Sequence, residues 1–456
     1  MKNEAEENIM KKAIAIMLAG IMSMSMAIPC LAEETNTEIS GELRVAGVGF
    51  GAPDDVTDPL SGVTKIGYNT LIEKFQEAYP NVTVTIDTYG WTDWQSKLSS
   101  LVLGEQVDVL VHGGSLVDLV DELSPYIEAD PTILDEMMVK GVYRRSDETN
   151  YDKLSCTAIP VGLNPYVICY DKQIFDDYGV EYPSSEDTWD DLLAKLKAIT
   201  GTDPVTGETT YGSTIVMTGT NSWRPFASYN ASKGINVTEF NASKWESTVD
   251  FTSEEVVGSL AFLQELATTF APGYLEQTGH ELFGTDQNNI GVLFDTSILS
   301  AYNTSVGSDC VDRYGYCAYP QRYDGNGSSG FLGDWNMAIP NNSANKDAAW
   351  AFIRWMATSD DVTEYLLTND WIPNGYAAVE GMISDNLPYA TALQDAFAYY
   401  PENYWCASSE HYDNSFGSME SIFMSNVMSL YSGDVTPEEC AANIQAEVDE
   451  QIELNK

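Results

Sequence analysis

Tyr68-Asn69-Thr70-Leu71-Ile72-Glu73-Lys74-Phe75-Gln76-Glu77-Ala78-Tyr79 places Tyr68, Leu71, Ile72, Phe75 and Tyr79 on one helical face. Pro80 ends that helix. Val82, Val84 and Ile86 then alternate with Thr83, Thr85 and Asp87, the period of two that a strand with one buried face requires. A second helix is expected to bury Trp94, Leu98, Leu101 and Val102 before a short apolar strand, Val107 to Val111, runs into His112-Gly113-Gly114. The order is β-α-β, which predicts a parallel sheet in an α/β protein.

Parallel sheets collect ligands where their strands end at the carboxyl side. Two such ends are Tyr89-Gly90-Trp91 and His112-Gly113-Gly114, one offering a large ring and the other open backbone amides. Trp91, His112 and Gly113 are therefore the first candidates for a binding site. A third strand, Ile290 to Phe294, ends in Asp295-Thr296-Ser297 and adds Asp295.

The helix and strand with a Phe-x-x-x-Tyr-Pro-x-Val-x-Val pattern, the Trp-x-Asp-x-x-x-Lys-Leu helix and the Asp-Val strand resemble the solute-binding proteins of ABC importers. More narrowly, the chain is similar to their sugar-binding branch, which includes the maltose-binding proteins. The match extends to Ile159-Pro160-Val161-Gly162-Leu163, followed by a strand ending in Tyr170-Asp171-Lys172. It recurs at Gly333-Asp334-Trp335-Asn336-Met337-Ala338-Ile339-Pro340 and at Asn345-Lys346-Asp347-Ala348-Ala349-Trp350-Ala351-Phe352. The resemblance spans about Leu43 to Ile452. It implies a two-lobed periplasmic-binding-protein fold of the Venus-flytrap, type II-like kind, with a ligand cleft between lobes joined by hinge crossings.

Mapped onto this sequence, the resemblance implies a leader over 1–32, a first lobe over 41–163 and a second over 164–316. A return to the first lobe then covers 317–374, and helices of the second lobe cover 375–456. The hinge falls near Leu163 and Asn164. The loop after the first strand makes Phe50 and Asp54 ligand candidates, and the corresponding second-lobe segment adds Trp223 and Arg224. Gly333, Asp334 and Trp335 are expected to face the cleft, as are Trp371 and Asn374 in the loop Trp371-Ile372-Pro373-Asn374. Gly-Pro-Trp, common in relatives after the strand that ends at Phe294, is absent here, so the maltose pocket is not copied whole.

A chain of 456 residues with 44% hydrophobic and 11% aromatic content folds into a packed core rather than remaining disordered. Its formal net charge of -47 opposes nucleic acid and anionic membranes. Lys11-Lys12, the apolar run Ala13 to Ile28 and Leu31-Ala32 read as an export signal, with Met10 as an alternative start. Cys30 sits where a lipid-anchor cysteine would, although Pro29 replaces the small residue that usually precedes it. Cys310 and Cys317 would close a small loop if oxidised, but sequence does not fix pairing.

Catalysis finds little support. Three histidines, no Gly-x-Ser-x-Gly elbow, no phosphate loop and no dinucleotide fingerprint leave only abundant carboxylates, whose pairs are uninformative among 69 acids. No cofactor or metal is expected. The tryptophans and the Asp and Asn residues at the strand ends suit a neutral mono- or oligosaccharide, whose C–H faces meet rings and whose hydroxyls meet carboxylates and amides. The expected role is a monomeric receptor that delivers sugar to ABC permease subunits. A polyamine or peptide receptor on the same fold is the alternative, and a secreted carbohydrate-active enzyme a remote one.

Overall fold

The computed structural model describes residues 35–454 except 58–63, 91–93, 113–115, 117–118, 136, 146–153, 216–222, 242–245, 277, 279, 295–309, 326, 331, 385–386 and 398–418. Two sheets are assembled from strands β1 Gly41–Val48, β2 Val82–Tyr89, β3 Val109–Val111, β4 Val142–Arg145, β5 Leu154–Pro165, β6 Val167–Asp171, β7 Gly201–Thr202, β8 Thr209–Ile215, β9 Ile290–Phe294, β10 Tyr314–Ala318, β11 Leu332–Ala338 and β12 Ile372–Pro373. The first sheet has seven strands in the order β12-β5-β11-β3-β1-β2, with β4 on β5. The second has five, in the order β10-β6-β9-β8-β7.

Local sequence builds the first sheet as expected at its start. Helix Tyr68–Ala78 buries Leu71 and Phe75. Phe75 meets Phe352 and Trp355 edge-on at 5.0 and 5.4 Å between centroids. Val82 and Val84 point inward while Thr83 and Thr85 are exposed, the alternation of a one-faced strand. Asp55 accepts from the Gly67 amide and the Thr70 hydroxyl, so a loop carboxylate supplies the N-terminal cap that Gly67 lacks. β1 runs parallel to both β2 and β3. The expectation of a parallel sheet needs correction beyond these three strands, because β11, β5 and β12 join antiparallel.

Helix Trp189–Ala198 carries the capping box Thr188/Asp191 and buries Trp189 against Phe262, Phe294 and Tyr319. Ser253 caps Glu254–Ala267. Thr436 and Glu439 exchange hydrogen bonds at the start of Pro437–Leu454. This last helix adds Cys440, Ala441, Ile444 and Val448 to the core of the second sheet. Cys310 and Cys317 are free thiols, so the small loop is not closed. Cys317 lies buried within β10, where its strand neighbours hold it.

The passages between sheets lie a little later than the resemblance implies. Leu163 and Asn164 still pair with Asp334 and Gly333 in the first sheet, and β6 begins at Val167, so the outgoing crossing is at Tyr166. Cys317 and Ala318 pair with Ile168 and Val167 in the second sheet, so the return lies beyond Ala318 rather than at 317.

Gly49 shows how tightly the end of β1 is seated. Its φ is +84°, and a Cβ there would sit 3.0 Å from the Trp335 Nε1 and 3.3 Å from the Trp371 Cζ2. Left-handed backbone and overpacking then add for any larger residue. Gly49→Ala is expected to destabilise by about 2–4 kcal/mol in denaturant unfolding. A midpoint equal to wild type would show that the two tryptophans yield without cost.

Candidate ligand-binding site

The strand ends of both sheets meet at the crossing. β1, β2 and β3 finish at Val48, Tyr89 and Val111 on one edge of the first sheet. Antiparallel pairing brings the end of β5 and the start of β11 to the same edge, with Asn164 opposite Gly333. In the second sheet β8 and β9 finish at Ile215 and Phe294. β6 runs antiparallel to β9, so its first residue, Val167, lies at that edge beside Ala318. Tyr166 joins the two edges, and strand ends of this kind are where α/β sheets take their ligands.

Several expected contacts turn out to be the packed floor beneath this edge. Trp335 is fully buried and donates its indole N–H to the Val48 carbonyl at 2.8 Å. Its ring meets Phe50 at 5.0 Å and stacks near Trp371 at 5.9 Å. Phe50 is equally buried, and its carbonyl accepts the Tyr365 hydroxyl at 2.7 Å. The expectation that Phe50 and Trp335 present rings to the cleft is therefore corrected, because β11 turns the Trp335 ring toward the helical layer. Trp371 is mostly buried in the same stack.

Asn374 is corrected on similar grounds. Its Oδ1 accepts from the Val139 amide at 2.9 Å, while its Nδ2 donates to the Val139 and Pro160 carbonyls at 2.8 and 2.7 Å. The side chain is 4% exposed and clamps backbone. Trp223 is half-buried, with one side packed on Phe226, Phe251 and Phe423. Asp54 is exposed and accepts from the Asn69 amide at 3.0 Å, tying its loop to the first helix.

Other expected residues do stand at the edge. His112 adopts φ +60° and donates its backbone N–H to the Asn336 carbonyl at 2.7 Å. Its ring lies between Trp94 at 5.6 Å and Trp371 at 6.3 Å. Asp334 is half-buried and accepts from the Asn336 Nδ2 at 2.9 Å, beside a register shift between Trp335 and Asn336. Such a bulge re-aims side chains at a site. The Asn164 Oδ1 is shielded from solvent at the same edge. Arg224 holds its guanidinium 3.7 Å over the Tyr166 ring. Trp91, Gly113 and Asp295 lie outside the described residues.

Tyr166, Asn336 and Trp94 also stand beside these residues, although the sequence did not single them out for a site. Tyr166 follows Asn164-Pro165 at the crossing, a signal that was legible. Asn336 was not, because the bulge that turns it beside Asp334 is set by pairing with β5. Among the described residues no group of acidic, histidine or cysteine side chains could hold a metal. Carboxylate and amide oxygens beside rings are suited to a neutral, hydroxyl-bearing solute.

Burial holds the His112 imidazole down at about 4, below the ordinary 6.5. The unfolded chain therefore takes up this proton first, and stability contributed by the neutral ring falls as pH drops from about 6.5 to about 4. His112→Asn keeps a residue tolerant of left-handed backbone. Between pH 7 and 4.5 the wild-type melting temperature is expected to fall relative to this variant, and parallel curves would refute the assignment. Trp335→Ala is expected to cost about 3–5 kcal/mol in unfolding free energy through the cavity it leaves.

The chain matches the family model described as bacterial extracellular solute-binding protein over residues 61–363. It is 24% identical over 265 residues to a mannitol-binding protein of Pseudomonas aeruginosa, covering 54% of this chain and 51% of that one. It is 31% identical over 156 residues to an ABC transporter extracellular-binding protein of Pyrococcus horikoshii, covering 30% of this chain and 33% of that one. The chain thus spans about half or less of the curated relatives it matches. An ABC transporter solute-binding protein of Thermotoga lettingae bound with alpha-D-tagatose superposes at TM-score 0.66 and 18% identity, over 91% of this chain and 100% of that one. A substrate-binding protein of Listeria monocytogenes in complex with cycloalternan gives 0.63 and 16%, over 91% and 99%. One of Agrobacterium vitis with bound D-mannitol gives 0.64 and 18%, over 91% and 98%. These likenesses carry the two-lobed fold, and the family match covers about two thirds of the chain, from before β2 to beyond β11: the chain belongs to the bacterial extracellular solute-binding protein family.

Proposed function

We propose that this chain is the receptor of an ABC importer and captures a neutral sugar, oligosaccharide or polyol without chemical turnover. The observation that carries the reading is the convergence of both sheets' strand ends on the Tyr166 crossing, in a chain of this family. The relatives that bind tagatose, cycloalternan and mannitol support the solute class.

One lobe comprises the first sheet with residues from 41 to the crossing and the return segment. The other comprises the second sheet and the C-terminal helices. Solute contacts from both lobes exist together only when the crevice is shut, so solute draws the population toward the closed form. Permease subunits would read that shape. His112, Asn164, Gly333 and Asp334 are the proposed contacts from the first lobe, with Trp91, Gly113 and Asp295 completing the site and Asp54 at its rim. An exported monomer with no nucleic-acid partner fits the strong negative charge, and Cys30 is a candidate lipid anchor.

A thermal-shift screen of maltose, D-mannitol, D-tagatose, polyamines and short peptides tests the reading, since a solute bound only by the folded state raises the melting temperature. A shift with a sugar or polyol is expected. Asp334→Ala should weaken that solute by about 10- to 100-fold, the loss of one hydrogen bond to a charged group. A shift only with polyamines or peptides would replace the sugar reading, and turnover of a glycoside would replace the receptor reading.

A further inference from the structure

We infer that Arg224 and Tyr166 form a latch on the crossing between the lobes, and that Arg224 serves solute capture through Tyr166 rather than by touching the solute. The inference rests on the closure reading above. Tyr166 is the residue between the end of β5 at Pro165 and the start of β6 at Val167. Any rotation of one sheet against the other at the outgoing passage goes through its backbone.

Its side chain is gripped from two directions. The ring is 6% exposed and belongs to the core of the second sheet. Arg224, in the first turn of the helix Trp223–Lys233, places its guanidinium carbon 3.7 Å from the ring centroid. The return segment closes the other approach. A Cβ at Gly333 would lie 3.4 Å from the Tyr166 Cε2, and one at Gly330 would lie 3.0 Å from the Tyr166 carbonyl oxygen. Neither glycine has left-handed backbone; Gly330 is held small by the Tyr166 carbonyl together with Ser328 and Tyr319, and Gly333 lies in ordinary contact range of the ring.

The ring thus couples a helix of the second lobe to β11 of the first. A guanidinium over a shielded ring biases an equilibrium by a factor of roughly 2 to 30. Opening equilibria of binding proteins lie within reach of such a bias. Apparent affinity follows the fraction of competent conformer, so the latch tunes capture from a position that needs no solute contact. Arg224 is then a positioning residue.

Hydrogen exchange on the full, solute-free chain tests the latch directly. Arg224→Ala and Tyr166→Leu should each speed exchange at the Tyr166 and Val167 amides by roughly 2- to 30-fold, and the double variant should be no faster than the faster single one. Tyr166→Phe keeps the ring and should match wild type, with Arg224→Lys intermediate. Amides of Trp189–Ala198 should be unchanged in all variants, reporting an intact fold. Unchanged exchange at the crossing in either single variant, or additive effects in the double one, overturns the latch. Calorimetry with maltose and D-mannitol reads the consequence for capture. Non-additive changes in Kd are expected, whereas loss of binding in Arg224→Ala with wild-type affinity in Tyr166→Leu would make Arg224 a direct contact. If wild type binds no solute at all, the receptor reading fails, and exchange still judges the latch by itself.

Discussion

The hydrogen bond from the Trp335 indole to the Val48 carbonyl fixes the floor beneath the first lobe's half of the proposed site. It joins β11, late in the chain, to the end of β1, near its beginning. Around it Phe50, Trp371 and Tyr365 pack within 6.3 Å of the indole ring, and Gly49 lies against Trp335 and Trp371. A buried donor left unpaired costs about 1–3 kcal/mol, so the bond and the packing select one position for the loop after β1. His112 and Asp334 inherit their positions from that arrangement, one through contact with Trp371 and the other as the residue before Trp335.

Buried charge is handled away from this edge. Asp108 is fully buried and accepts from Arg44, Ser343 and Asn345, which hold its carboxyl below the usual range against the cost of burial. Asp171 is likewise buried, with Arg313 and Asn288 as donors. Each pair sits at the end of a sheet remote from the crossing, where it ties helices and loops to strands. Satisfied networks of this kind specify packing. Among the described residues the crossing edge instead keeps rings, amides, one half-buried carboxylate and the Arg224 guanidinium over Tyr166, a combination that suits a neutral guest.

Much of the fold was legible because it is local. The period of Val82 to Ile86 is formed as read, and the cap at Thr188 and the box at Thr436/Glu439 likewise depend on neighbours a few residues away. The tryptophans were harder. Trp335, Trp371 and Trp223 look alike in sequence whether they face a cleft or a core, yet Trp335 and Trp371 pack inward while Trp223 is half-buried. Asn374 shows the same limit for amides, since its three backbone partners come from Val139 and Pro160, far away in the chain.

The sequence by itself determined the element types, the α/β class and the strand ends at which the proposed site lies, because periodicity acts over one or two turns. Tertiary structure decided which rings became floor, where the chain passes between sheets, and that Tyr166 lies beneath Arg224. Those outcomes turn on antiparallel pairing between β5 and β11, segments more than 160 residues apart, and on a bulge at Trp335/Asn336 that reorients one face. A register set across that distance by packing leaves no periodic trace in either segment alone.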